Sequence, residues 1–392
     1  MRRTEVIQEI RKLRFDEAYT GWTKGKLTQE EAAALLGVCD RTFRRYINRY
    51  EENGEEGLND KRLTQASLRR APVDEVLSLT DQYKKKYLGW NVKHFHSWYQ
   101  RSGGKRSYTW VKNELHKAGL VKKVPKRGSH RKRREPMPLP GMMIHQDGST
   151  HEWVPGKKWD LIVTMDDATN EHYSMFFVEE EGTTSSFIGI KEVISKHGLF
   201  SSFYSDRGSH YWYTPEAGGK VDKSRLTQFG RALQSIGISM IAAYSPEARG
   251  RSERAFRTHQ DRLPKELAMY GIIDIDEANQ YIDTKYRSEF NAEFKQKARE
   301  AGTAFIPWIG ENLDDILCEK YERTVTADNC VSFEGLPMQI PPDRYRCHYV
   351  RVKVRIHRYH DGRLSIFHGP RKLSSYDAKG ILQEPETQQT AA

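Results

Sequence analysis

The chain has 392 residues and a net charge of +11, from 64 lysines and arginines against 53 aspartates and glutamates. That length suffices for several domains with a sizeable core, and the basic balance favours nucleic acid as the partner. No apolar run reaches the length of a membrane span, no apolar signal segment follows the N-terminus, and the four cysteines form no CxxC pair. A membrane protein, a zinc knuckle and a disulfide framework are therefore not expected, and a cytosolic location is.

In chain order, residues 5–19 carry a helical apolar pattern. The segment from Leu27 to Ile47 then reads as helix, sharp turn, helix. Thr28 with Glu31 three residues on is a capping box, and Gly37 stands where the chain must turn. Asp40 is expected to cap the next helix, which carries Arg41, Thr42, Arg44 and Arg45. Such a helix enters the major groove with its N-terminal residues at base edges; an ordinary helical hairpin is the bland reading. Residues 1–62 form this first helix-turn-helix domain.

A second one is expected over 73–120, with Lys105, Arg106, Tyr108, Thr109 and Lys112 near DNA and its aromatics mainly in the core. Residues 121–140 hold Lys126, Arg127, Arg131, Lys132, Arg133 and Arg134 ahead of three prolines. That basic linker is too charged to fold alone, and it suits an arm along phosphates better than a plain solvated tether.

From Met143 the pattern turns to strands. One leads into Asp147 and is expected to break at Gly148-Ser149; the next runs from Trp159 to Asp166 and a third from Glu171 to Val178. Ser185 to His197 has helical spacing, Leu199 to Tyr204 reads as a buried strand ending at Asp206, and Arg249 opens a helix carrying Arg249, Arg251, Glu253 and Arg257. This order sets two carboxylates at strand ends and one on a helix. Oxygen ligands converging with open positions suit Mg²⁺, which takes one or two carboxylates and keeps waters that substrate phosphates replace. Two such ions clamp the attacking and leaving oxygens of an in-line displacement.

The phrases His145-Gln146-Asp147-Gly148-Ser149, Tyr204-Ser205-Asp206-Arg207-Gly208 and Ser245-Pro246-Glu247-Ala248-Arg249-Gly250-Arg251-Ser252-Glu253-Arg254 resemble the DDE, retroviral-integrase-type core of bacterial insertion-sequence transposases, closest to the ISNCY-type group. The resemblance covers the central third directly. It implies an RNase H-like fold with a mixed five-stranded sheet and helices over 141–300. It also implies Asp147, Asp206 and Glu253 as catalytic metal ligands for two Mg²⁺ ions, with Mn²⁺ as a substitute.

Further expectations follow from it: strand cleavage and strand transfer on double-stranded DNA (element terminal repeats and target), a homodimer or higher oligomer on DNA, and a bacterial, nucleoid-associated location. Two departures stand out. Forty-six residues separate Asp206 from Glu253, where many relatives have fewer, and the excess reads as an inserted loop over 210–225. Gln260 stands where some relatives carry a basic residue.

Glu247 competes with Glu253 as third ligand. Asp166 and Asp167 compete as acids at a strand end, where a turn role is the commoner one. Beyond the core, 266–299 is expected to be helical, 301–334 a connecting helical segment, 335–380 a small β-barrel with a hairpin at Asp361-Gly362, and 381–392 a disordered tail. The fold class is thus a multidomain α/β chain. The rival functions are a DNA-binding regulator with an inactive integrase-like core and a simple RNase H-like nuclease.

Overall fold

The computed structural model describes residues 3–59, 71–122, 135–216, 219–244, 250–310 and 312–383. It divides into two units, Met1–Lys86 and Tyr87–Ala392.

The first unit holds helices α1 (Arg3–Thr23), α2 (Gln29–Leu36), α3 (Asp40–Asn53) and α4 (Val73–Lys86). Phe15, Ala18, Ala32, Ala33, Phe43 and Ile47 form its core. The Thr28 hydroxyl accepts from the Glu31 amide while the Glu31 carboxylate accepts from the Thr28 amide, so the capping box closes in both directions. Gly37 ends α2 at φ 72°, a left-handed turn that a Cβ would strain. Asp40 is not the cap that was expected. Cys39 holds that position without a side-chain cap bond, and Asp40 opens the helix and pairs with Arg44 at 2.5 Å.

The second unit begins with α5 (Val92–Arg101) and α6 (Tyr108–Lys117), capped by Asn91 and Ser107. A five-stranded sheet follows. Its strands are β1 (Met143–Val154), β2 (Lys157–Asp166), β3 (His172–Val178), β4 (Ser202–Ser205) and β5 (Ser239–Ala242), in the order β3-β2-β1-β4-β5. The β1–β2–β3 ladders are antiparallel, and β1–β4 and β4–β5 are parallel.

One face carries α7 (Thr183–His197) and α8 (Gln228–Ser235) over Ile144, Phe187, Ile190, Phe203 and Phe229. The other carries α9 (Gly250–Tyr270), α10 (Ile275–Tyr281) and α11 (Arg287–Phe294) over Trp153, Leu161, Val163, Met175 and Phe177. Successive strand residues point to opposite faces, so one sheet supports both cores.

One expectation for this region changes. Gly148-Ser149 does not end β1, because the ladder with β2 continues to Val154. The described residues of 210–225 form a loop, as expected, but one that packs inward: Tyr211, Trp212 and Val221 are buried in the α7–α8 core. Their apolar surface draws the segment inward, and Trp212 Nε1 donates to Ser205 Oγ at 3.0 Å.

The C-terminal part is β throughout. Its strands are β6 (Glu319–Thr324), β7 (Cys330–Phe333), β8 (Leu336–Gln339), β9 (Lys353–Arg358), β10 (Leu364–His368), β11 (Arg371–Tyr376) and β12 (Leu382–Gln383). The sheet order is β12-β11-β10-β9-β6, with β7-β8 a separate hairpin. Among the described residues no ladder joins edge strands β6 and β12. Among its described residues, the segment expected to be helical over 301–334 holds only a short turn of helix at Leu313–Asp315 and then strands β6 and β7. Glu319–Thr324 is strongly charged, so neither alternation nor an apolar run marked it; cross-strand pairing with β9 makes it a strand.

Candidate active site

Strands β1 and β4 carry or precede two of the expected acids. The parallel ladder pairs Met143 with Ser202, Ile144 with Phe203 and His145 with Tyr204. The ladder ends there: Asp147 continues β1 two residues on, and Asp206 follows directly after Ser205, the last residue of β4. Asp147 is only 7% exposed. Asp206 lies just past β4, and its Oδ1 accepts from the Gly208 amide at 2.8 Å, which fixes the turn.

Tyr211 closes the floor beneath them. Its hydroxyl donates to Gln146 Oε1 at 3.1 Å. Burial first, and then the carboxylates of Glu181, Asp147 and Asp206, push its ionisation well above the usual range. Glu181 is an acid the sequence reading did not single out. Its Oε1 lies 3.4 Å from His210 Nε2, and a Cβ on Gly148 would overlap its carboxylate. The run Glu179-Glu180-Glu181 before α7 was the available signal, but a run of acids ordinarily reads as solvated surface.

Helix α9 packs along β1, where Gln260 Nε2 donates to Ser149 Oγ at 3.0 Å. Its first turn carries Glu253, which is exposed. The same turn is anchored by Arg251, whose guanidinium lies 2.5 Å from Asp167 Oδ1 and donates to the Asp167 carbonyl at 2.6 Å. Arg251, expected at DNA, is thus half-buried and spent on an internal carboxylate.

Asp147 and Asp206 both act electrostatically on buried Tyr211, and Glu253 is exposed on the first turn of α9. Among the described residues no three His, Cys, Asp or Glu side chains stand as a metal-holding group. The competitor Glu247 and the expected DNA contact Arg249 lie outside the described residues. Asp147 and Asp206 are of the donor type that would suit Mg²⁺, which takes one or two carboxylates and leaves its remaining positions to water and substrate phosphate.

Asp166 and Asp167 take structural work. Asp166 accepts from the Gly141 amide at 2.9 Å and from the Thr169 amide and hydroxyl at 2.8 and 2.9 Å. Burial outweighs these bonds and raises its carboxyl above the usual range. Asp167 is buried too, but the bond from His145 Nε2 at 2.7 Å, the Met137 amide and the Arg251 charge outweigh that and hold it well below the usual range.

The expected DNA-facing side chains divide. On α3, Arg41, Arg44 and Arg45 are exposed, and Thr42 Oγ1 lies 3.1 Å from Cys39 Sγ. At the start of α6, Lys105, Thr109 and Lys112 are exposed, Arg106 lies over the Trp110 ring and Tyr108 packs edge-on to His96. Arg257 is exposed on α9. Lys126, Arg127, Arg131, Lys132, Arg133 and Arg134 lie outside the described residues.

Helix α5, which precedes α6, is bonded to α9 and α11 by His94 to Glu266, Asn91 to Asp261 and Ser97 to Glu293. The α5–α6 pair is therefore fixed to the same helix that carries Glu253.

A family model described as a helix-turn-helix domain matches residues 22–64. A putative transposase, y4bF, of Sinorhizobium fredii (strain NBRC 101917 / NGR234) is 28% identical over 355 residues, 87% of this chain and 75% of the relative. The transposase for insertion sequence IS1202 of Streptococcus pneumoniae is 25% identical over 417 residues, 93% of this chain and 87% of the relative. Among solved structures, the HTLV-2 integrase catalytic core domain in complex with magnesium (trimeric form) is a distant likeness, with 18% identity, 37% of this chain and 85% of that one covered, and a TM-score of 0.29.

Proposed function

We propose that this chain is a DDE transposase of the ISNCY-type group, which binds the ends of its insertion sequence and catalyses metal-dependent DNA strand cleavage and strand transfer. The observation that supports the reading is the parallel β1–β4 pairing, with Asp147 on β1 and Asp206 just past the end of β4, on a sheet whose strand β1 α9 packs along. The transposase relatives and the helix-turn-helix match support it from outside the site.

In this reading the sheet of residues 141–300 is an RNase H-like core. Residues 1–62 and 73–120 read end sequence, the basic stretch 121–140 tracks phosphates, and the C-terminal strands form a small barrel-like accessory domain. A complex that joins two DNA ends requires at least a homodimer.

Asp147 and Asp206 would hold two Mg²⁺ ions, with Mn²⁺ as a substitute, and Glu253 on the first turn of α9 would be the third ligand. Bound there, the metal supplies positive charge opposite the phosphate oxygens of the scissile strand. The chain supplies position. Tyr211 and Gln146 hold the floor under the two aspartates, Gly208 fixes Asp206, and the Arg251–Asp167 pair ties the start of α9 to the end of β2. No protein nucleophile is needed, because the attacking group is water and then the freed 3′-hydroxyl of the DNA.

The test is nicking of labelled duplex carrying the host element's ends, with Mg²⁺ and with EDTA. Wild type should cut at the boundary only with metal. Asp147→Asn, Asp206→Asn and Glu253→Gln should lose cutting by at least a hundredfold, on the order of the loss from one essential charge-stabilising group, and keep end binding. Cutting by Asp147→Asn would sink the assignment. Tight end binding without cutting by wild type would move the reading to a DNA-binding regulator.

A further inference from the structure

One face of the C-terminal sheet carries a cavity of about 490 Å³ that nothing in the cleavage site uses. Its walls include Lys320 on β6, Arg355 and His357 on β9, Phe367 on β10 and Lys372 on β11. The ladders explain why these side chains meet. Lys320 pairs directly with His357, Arg355 with Phe367, and Phe367 with Lys372, so the basic residues lie on adjacent rows of one face. Val354 and Ile356, which alternate with them on β9, point to the opposite, buried side.

The cations are poorly matched by acids. Asp315 is the acid on the cavity wall, and it already accepts the Tyr359 hydroxyl. Glu322 stands opposite Arg355 but leans 3.9 Å from Lys353. Arg355 donates to a carbonyl, that of Gly369, at 2.8 Å. His357 is 4% exposed and stacks on Phe367 with ring centres 4.0 Å apart. Among the described residues its Nδ1 has no hydrogen-bond partner, the nearest carboxylate oxygen being that of Asp315 at 4.0 Å. Burial, reinforced by Lys320, Arg355, Arg231 and Lys372, pushes that imidazole down to about 3, so the ring is neutral beside four cations. Half-buried Lys320 is held below its usual range by burial and by the same arginines, though its neighbour Cys318 acts the other way.

Concentrated positive charge, a buried ring nitrogen without a bond and a cavity larger than one phosphate call for an anion with several acceptor oxygens. We infer that this cavity is a phosphate-binding site, with Lys320, Arg355 and Lys372 as its charged donors and His357 as a neutral partner at its base, and that the phosphate it takes belongs to a DNA backbone. The DNA source rests on the proposed transposase function; the phosphate chemistry does not.

The experiment uses the full chain and two probes. The first is inorganic pyrophosphate, followed by the shift in unfolding temperature. The second is a 20-bp duplex of arbitrary sequence, followed by anisotropy across a salt series. Removing a cation that neutralises one DNA phosphate should reduce the slope of log K against log salt by about 0.9. Lys320→Gln and Lys372→Gln should each lower that slope by about 1 and abolish the pyrophosphate shift, Lys320→Arg should keep both, and Lys196→Gln, which removes one charge from α7, should change neither.

Circular dichroism confirms that each variant is folded, and Lys372, being exposed, provides the variant least able to disturb packing. A pyrophosphate shift abolished in both variants with an unchanged DNA slope would keep the phosphate site and overturn its DNA source. No pyrophosphate shift in wild type, or a shift that persists in both Lys320→Gln and Lys372→Gln, would overturn the site itself. Neither result depends on whether the protein cuts DNA, so failure of the transposase reading in the nicking assay stays separate.

Discussion

His94 Nε2 on α5 lies 2.7 Å from Glu266 Oε1 on α9, and both side chains are almost wholly buried. Burial lowers the His94 ionisation, so the ring is neutral and its Nε2–H donates to the carboxylate. Glu266 Oε2 also accepts from Tyr281 at 2.5 Å, and Trp90 stacks on the imidazole at 4.1 Å. His94→Ala leaves a buried carboxylate short of one donor. It is expected to cost about 2–3 kcal/mol in urea unfolding and to speed amide exchange across Val92–Arg101. A change below about 0.5 kcal/mol, the size of an ordinary surface substitution, would mean that α5 is held to α9 by other contacts.

A second buried chain sets a pH dependence. His172 Nδ1 lies 3.1 Å from the Asn170 carbonyl, His172 Nε2 lies 3.0 Å from His259 Nε2, and His259 Nδ1 lies 3.1 Å from the Tyr286 hydroxyl. One proton order satisfies all three. His172 donates from Nδ1, His259 donates from Nε2 to His172, and Tyr286 donates to His259 Nδ1. Burial takes His172 down to about 4 and His259 well below its usual range.

The folded state therefore resists protonation that the unfolded chain accepts near 6.5. Stability should be full above about pH 6.5 and fall as pH drops toward 4, by roughly 3 kcal/mol for His172. The double variant His172→Gln, His259→Gln should flatten that part of the unfolding free energy measured from pH 7.5 to 4.5. An equally steep curve in the variant would place the dependence on other groups.

Gly189 of α7 faces Gln146, the neighbour of Asp147. A Cβ there would overlap Gln146 Nε2 and meet Thr164 Oγ1 at 2.7 Å. Gln146 cannot swing away cheaply, because it is bonded to Thr164 at 2.8 Å, to Ser186 and to Tyr211. Glycine to alanine in a helix usually gains up to about 1 kcal/mol. Here Gly189→Ala is expected to lose about 1–2 kcal/mol net through overpacking and to reduce nicking along with it. A gain in unfolding temperature would show that the α7–β1 contact yields more easily than these bonds suggest.

On α2 and α3 the roles of neighbouring residues should separate. Thr28→Ala removes the capping box that starts α2 and should cost about 1 kcal/mol, leaving the salt dependence of DNA binding unchanged. Arg45→Ala should leave stability alone and lower the salt slope by about 1. Equal salt slopes for Arg45→Ala and wild type would remove Arg45 from the DNA contacts. Arg44, already paired with Asp40, should give a smaller effect than Arg45.

Much of the architecture was legible because its causes are local. The Thr28–Glu31 box and the Gly37 turn are decided within ten residues, and the apolar pattern from Trp159 to Asp166 marks β2 directly. Where local signals were weak, the reading failed in a consistent way. Gly148 looked like a strand breaker, yet β1 continues because β2 pairs with it to Val154. Glu319–Thr324 looked helical and charged, yet β9 makes it an edge strand. Arg251 looked like one more DNA-facing cation, and only the folded chain brings it to Asp167, 84 residues away.

By itself the sequence determined a basic balance and helix-turn-helix punctuation, and it offered acids at 147, 206 and 253 as candidates for the chemistry. It could not determine which of those acids stand together. That depends on the parallel pairing of β1 with β4, strands that carry or precede Asp147 and Asp206 with 58 residues between the two acids, and on the packing of α9, which leaves Glu253 exposed. The reason is physical. Helix caps and turns depend on backbone bonds between near neighbours, whereas strand register and helix docking minimise the free energy of whole buried faces, and no short stretch of chain contains that information.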